Sequence, residues 1–178
     1  MSAPAYAVVT NGAVVEYRST APNVDQSLLA PGKPRILPVV EVNADYDSIS
    51  QVREGPVITV EGDRVVYTYN VRAKNADEIT AMRNRKLVGV RAIAEQKIFA
   101  IMPDFAQRNA LALGLQLVTT LGQFPSGWPE EDQAKYSAIS DAWGRIKSIR
   151  NISNTKEAEI VSLTSPSEID AYDINAGW

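Results

Sequence analysis

The sequence predicts an α+β protein with a small N-terminal antiparallel β-hairpin module and a C-terminal α-helical module of three to five helices. Apolar and polar residues alternate through Lys74, which is typical of strands. From Asn75 onward apolar residues recur three or four positions apart, which is typical of helices. The predicted modules are therefore residues 1–74 and 75–178, and 178 residues are enough for two domains of this size.

The first predicted element is a hairpin around the Asn-Gly pair at 11–12. Asn-Gly favours a two-residue type I′ turn because both positions of that turn need a positive φ. The flanking runs, 6–10 and 13–17, are rich in Val and Tyr and are predicted strands. Regular pairing from this turn predicts that Val8 lies on the same face as Val15 and opposite it.

A Gly-Asp turn predicts a second hairpin between residues 57–61 and 64–71. Closing this hairpin with a regular two-residue loop places Val60 opposite Val65. Every second residue of the later strand is then on one apolar face: Val65, Tyr67, Tyr69 and Val71.

Between the hairpins lies a proline-rich arm at about residues 19–38, followed by room for one more strand at 36–42. Proline excludes helix and favours extended geometry, so the arm is predicted to contact a neighbouring subunit through Pro22, Pro31 and Pro34. The alternative is an exposed loop. Two hairpins and one strand leave unpaired sheet edges, and such a small sheet favours a partner.

The first predicted helix begins at a capping box, Asn75 to Glu78, and continues over residues 79–101 until Pro103 ends it. A second side of this helix is also apolar, and a helix of that kind normally contacts two neighbours. The residues off the main stripe are Met82, Val88, Ile93 and Phe99.

Four further helical segments are predicted. One ends at Gly122, and another follows Pro129 with three acidic residues in its first turn. The helix dipole favours carboxylates in the first turn, so we interpret these three as stabilising the start of the helix rather than as a metal site. A separate short helix is expected after Asn154, and a capping box from Ser165 to Glu168 begins a last turn.

Two tryptophans are candidate partner contacts. Trp128 lies in the loop before the third helix, and Trp178 is the final residue. An aromatic ring at this end is either a docking group for a partner or a lid on the protein's own core.

Composition excludes several function classes. The chain has no His and no Cys, so it lacks thiolate nucleophiles, disulfides, Ser-His-Asp triads and the commonest metal ligands. Nucleotide-binding and hydrolase motifs are absent from the sequence. We therefore expect a non-enzymatic protein without a cofactor or metal. The net charge is −3, and the basic run at 83–91 is typical of a solvated helix face, so we expect no nucleic-acid binding. The sequence has no long apolar run, so we expect no membrane insertion.

Several segments resemble proteins encoded among the tail genes of tailed bacteriophages, the tail-fibre and tail-fibre-assembly proteins. They are residues 6–9 with Asn11-Gly12, 14–17, Glu54-Gly55-Pro56, 76–79, 102–109 and the pattern from Trp143 to Arg150.

This resemblance implies a structural component of the virion tail, such as a fibre or a fibre-attachment (adaptor) protein. It would contact other phage tail proteins, form a trimer or hexamer, and pass through the host cytoplasm during assembly. The resemblance brings no catalytic residues. The alternatives are a tail-fibre assembly chaperone, or a module that binds a host receptor or carbohydrate by stacking on Tyr67, Tyr69, Trp128 and Trp178.

Overall fold

The computed structural model describes residues 5–23, 30, 32–42 and 45–178. Within them the chain is an α+β protein in which five strands precede four α-helices. The chain divides into two compact units, Met1–Asn75 and Ala76–Trp178, which we call the β unit and the helical unit. The change of hydrophobic period in the sequence thus coincides with the change from sheet to helix.

The strands of the β unit form one mixed sheet in the order β2-β1-β3-β5-β4. Their bounds are β1 Tyr6–Thr10, β2 Ala13–Arg18, β3 Arg35–Val42, β4 Gln51–Glu61 and β5 Arg64–Ala73. β3 is the single strand that the sequence predicts between the hairpins. It pairs antiparallel with β1 but parallel with β5, a pairing that local sequence does not predict.

The first hairpin has the predicted turn, since Asn11 and Gly12 have φ angles of 50° and 76°. Its predicted register is wrong beyond the first two pairs. A β-bulge shifts the pairing by one residue, so that Val8 lies opposite Glu16 and the side chain of Val15 is exposed.

The second hairpin has the predicted register. Val60 lies opposite Val65 and Ile58 lies opposite Tyr67, with a β-bulge further along, between Glu54 and Val57. Of the predicted apolar face, Val65 and Tyr67 are in the buried core and Tyr69 packs against it, whereas Val71 is exposed. Val66 on the opposite face is buried as well.

The core of the β unit is small, and its main cluster lies on one face of the sheet. Its buried members are Ala7, Val9, Leu37, Val65 and Tyr67. The rings of Tyr17 on β2 and Tyr67 on β5 meet edge to face, with centroids 6.2 Å apart. The two strands are three positions apart in the sheet order, so the rings meet across β1 and β3.

The helical unit contains α1 Ala76–Ile101, α2 Asp104–Leu121, α3 Glu130–Ser162 and α4 Pro166–Ala171. The expected separate helix after Asn154 is wrong because α3 runs without a break. Ile146, Ser153 and Ile160 are buried at seven-residue spacing on one stripe of α3. A serine in the middle of this stripe interrupts the apolar pattern but not the helix.

α1 packs along α3, α2 packs on α3, and α4 packs on α1. The fully buried side chains of this unit are Val90 on α1, Ile146 and Ile160 on α3, and Ile169 on α4. The predicted capping box of α4 is present, since the Ser165 hydroxyl accepts from the Glu168 N–H and the Glu168 carboxylate accepts from the Ser165 N–H. Among the described residues, no helix combines the length and apolar character needed to cross a membrane.

Candidate interaction surfaces

An open apolar groove lies between α2 and α3 of the helical unit. We call it the α2–α3 groove, and its volume is about 360 Å³. Its walls consist of Ala110, Leu111, Gly114, Leu115 and Val118 from α2, and Tyr136, Ile139, Ser140 and Trp143 from α3. No wall residue is charged. A surface of this kind, rimmed by polar residues, is typical of a protein–protein contact.

The groove exists because α2 is apolar on two sides. Leu117 faces the interior and is 7% exposed, whereas Leu111 and Leu115 are 65% and 68% exposed. Residues 111 and 115 are four apart and therefore lie one turn from each other on the same face of the helix. The sequence shows that these residues are apolar, but only the packing of α2 on α3 reveals which of them are exposed.

Charges of opposite sign lie at the two ends of the groove. One end is the first turn of α3, where Glu130, Glu131 and Asp132 are accompanied by Lys135. The Lys135 ammonium lies 2.7 Å from the Glu131 carboxylate, and this contact lowers the pKa of Glu131 and raises that of Lys135.

The other end of the groove is basic. Arg108 lies one turn before Leu111 on α2, and Lys147 lies one turn after Trp143 on α3. Arg150 follows on α3. Asp104 at the start of α2 is acidic, and Arg91 and Glu95 of α1 line a pocket together with Asp104 and Arg150. The groove thus runs from a mainly acidic end to a mainly basic end.

Trp128 is part of the helical unit's own packing. The side chain is 5% exposed, and its Nε1 donates a hydrogen bond of 3.1 Å to the Leu121 carbonyl. Its ring meets the ring of Tyr136 edge to face at 5.2 Å. The exposed aromatic residue of this loop is Phe124, which is 79% exposed and which sequence reasoning did not select. A contact by Trp128 itself stays a prediction.

The C-terminal residues pack on the helical unit. Trp178 is half-buried, and its Nε1 donates a 2.8 Å hydrogen bond to the Ile174 carbonyl. The ammonium groups of Lys97 and Lys156 each lie 6.0 Å from the Trp178 ring. These contacts correspond to the lid alternative, in which the ring covers the protein's own surface.

Cationic side chains of α1 hold the backbone of the same segment. Lys86 Nζ donates to the carbonyls of Asp170 and Tyr172, at 2.8 and 2.9 Å. Arg83 Nε donates to the Leu163 carbonyl at 2.8 Å. Part of the basic run at 83–91, predicted to be a solvated helix face, therefore holds the chain after α3 in place.

The predicted proline contacts lie in the β unit. Pro22 is half-buried and Pro34 is exposed. Pro31 lies outside the described residues, as do residues 24–29 of the predicted arm. Contacts of this arm with a partner stay a prediction.

The aromatic residues considered for carbohydrate stacking are mostly covered. Tyr67 is 6% exposed in the sheet core. The Arg53 guanidinium lies 4.2 Å from the centroid of Tyr69 and 5.5 Å from that of Tyr46, and the Tyr69 hydroxyl donates to Glu41 at 3.3 Å. A sugar would have to displace Arg53 before it could stack on the covered face of Tyr69.

The described residues contain no group of three or more acidic side chains placed to hold a metal ion. Comparison of the chain with protein-family models, with curated proteins and with solved structures finds no match.

Proposed function

We propose that this chain is a non-enzymatic structural component of a bacteriophage tail, a fibre or fibre-attachment (adaptor) protein that acts through protein–protein contacts in the virion. The observation that carries the proposal is the α2–α3 groove. Leu111 and Leu115 are about two-thirds exposed there, and a contiguous exposed apolar surface of this kind commonly marks a protein–protein contact. The resemblance of the sequence to tail proteins supports a phage tail as the assembly.

The β unit supports the same role. β2 and β4 are the edges of the sheet, so each has one side without a neighbouring strand in the described part of the chain. Val15 on β2 and Val57 on β4 are more than half exposed. Sheet edges with exposed apolar residues are commonly covered by another chain in an assembly.

The test is quantitative mass spectrometry of purified particles from the virus presumed to encode the chain. A fixed copy number that is a multiple of three or six supports a tail subunit. Absence from particles, together with a stable complex with a fibre protein in the lysate, contradicts the structural role and supports the assembly chaperone instead. Binding of the isolated chain to host surface glycans, without incorporation into particles, would support the receptor-binding alternative.

A further inference from the structure

We infer that the α2–α3 groove binds a second copy of this chain, in an antiparallel arrangement about a two-fold axis near Gly114. The inference names the partner of the groove within the proposed structural role, and it rests on that role for its place in a particle. Three features of the groove support a second copy as the occupant: charge, shape and area.

Charge complementarity favours an antiparallel copy. One end of the groove has three carboxylates and one lysine. The other has Arg108, Lys147 and Arg150 with Asp104, and it stays mainly basic when Arg91 and Glu95 beside Arg150 are included. A two-fold axis across the groove places the acidic end of each copy beside the basic end of the other. Glu130 of one copy then lies near Lys147 of its partner, and the contact occurs twice. A parallel arrangement would place like charges together.

The shape of the groove is self-complementary. Gly114 lies between the exposed side chains of Leu111 and Leu115, and a β-carbon on Gly114 would meet no atom within 4 Å. This leaves a hollow beside a ridge on the same helix. A two-fold axis near Gly114 places the hollows of the two copies against each other, so the two α2 helices can approach closely there, and Leu111 of each copy lies beside Leu115 of the other.

The area of the face agrees with a weak dimer. α2 has 18 residues and is about 27 Å long. Two helices side by side are roughly 20 Å wide, so the faces of the two copies bury on the order of 1,000 Å² together. This area is near the lower bound for a specific interface, and we expect a dissociation constant in the micromolar range.

The test is sedimentation of the full chain over a concentration series from about 1 to about 300 µM. We expect the unaltered chain to change from monomer to dimer across this range. Leu115→Glu should weaken dimerisation on the order of a hundredfold because it places a carboxylate in the apolar centre of the contact. The matched control is Val161→Glu, since Val161 is 62% exposed and lies on α3 outside the groove. This control should dimerise like the unaltered chain.

A charge exchange tests the antiparallel direction. Lys147→Glu alone and Glu130→Lys alone should each weaken the dimer about fivefold, because each repels the opposing charge at two symmetric positions. The double variant should restore the original affinity. It changes exposed residues only, so it stays informative if Leu115→Glu fails to fold.

A monomer at every concentration overturns the inference, as does equal dimerisation of Leu115→Glu and Val161→Glu. Failure of the double variant to restore affinity overturns the antiparallel arrangement. The outcomes are separate from the particle measurement. If the chain dimerises in solution but is absent from particles, the dimer contact is supported and the tail role is contradicted. If the chain is a monomer in solution but has a fixed copy number in particles, the tail role is supported and the dimer contact is contradicted.

Discussion

Two glycines inside helices distinguish the effect of helix propensity from the effect of packing. Gly144 lies in α3, and a β-carbon there would meet no atom within 4 Å. Gly89 lies in α1, and a β-carbon there would lie 2.7 Å from Cδ1 of Ile174 in the C-terminal segment. Neither glycine has a positive φ. Alanine therefore fits the backbone at both positions, and the two sites differ in the neighbouring side chain.

The expected changes follow from these distances. Alanine is more favourable than glycine in a helix interior by about 1 kcal/mol, so Gly144→Ala should raise the free energy of unfolding by about that amount. Gly89→Ala has the same intrinsic gain, but Ile174 must leave its present position. Displacing a packed side chain from its rotamer costs about 1 kcal/mol. We therefore expect Gly89→Ala to leave the free energy of unfolding nearly unchanged.

The assay is urea unfolding followed by far-UV circular dichroism, for both alanine variants and for the same variants combined with Ile174→Ala. Truncating Ile174 removes the clashing atom, so Gly89→Ala in that background should recover the gain of about 1 kcal/mol. Gly144→Ala should give the same gain in both backgrounds. Equal gains at the two glycines in the unaltered chain would refute the packing role of Gly89.

Two further predictions concern the segment after α3. Ser165→Ala should lower the free energy of unfolding by about 1 kcal/mol in the same urea assay, since the Glu168 N–H loses its side-chain acceptor; Ser165→Asp should retain most of the stability, and equal losses in the two variants would contradict the cap. Burial, together with the hydrogen bond to the Glu159 carboxylate, raises the pKa of Tyr172 from 10.0 to about 12. The contribution of Tyr172 to the free energy of unfolding is fully present below pH 10 and is lost as the pH rises through 12. The unfolding midpoint of Tyr172→Phe should therefore depend less on pH between 10 and 12 than that of the unaltered chain. Parallel pH profiles for the two proteins would exclude this role of Tyr172.

The hairpins could be predicted because their turns are local. Asn11 and Gly12 determine the turn type whatever packs on the strands. The bulge in β2 could not be predicted in the same way. Val14 and Tyr17 are three residues apart and would face opposite sides of a regular strand. The bulge places both on the face that carries Val9, where Tyr17 reaches Tyr67 on a distant strand. The register of the first hairpin thus goes with the contact between Tyr17 and Tyr67, which the local sequence pattern does not predict.

The candidate surface was only partly predictable for a related reason. The sequence shows that α2 is rich in leucine, but the burial of each leucine depends on where α3 lies. Trp128 and Phe124, in one loop, also show that the sequence does not predict which apolar residue is buried. Both are aromatic, and the one that is buried is the one whose Nε1 reaches the Leu121 carbonyl. A buried indole N–H requires an acceptor, and its position is a property of the folded loop.

The sequence predicts apolar residues on two sides of the first helix, but the clearest exposed apolar surface lies on α2. On α1 the exposed Val88 and Phe99 are eleven residues apart, and Glu95 lies between them on the same stripe. On α2 the exposed Leu111 and Leu115 are one turn apart, with Gly114 beside them and no charge among the groove walls. A contiguous apolar surface gains free energy when it is covered as a whole, whereas isolated apolar residues are normal on any surface. We therefore place the proposed contact of the helical unit with another chain at α2, and the Leu115→Glu experiment tests it directly.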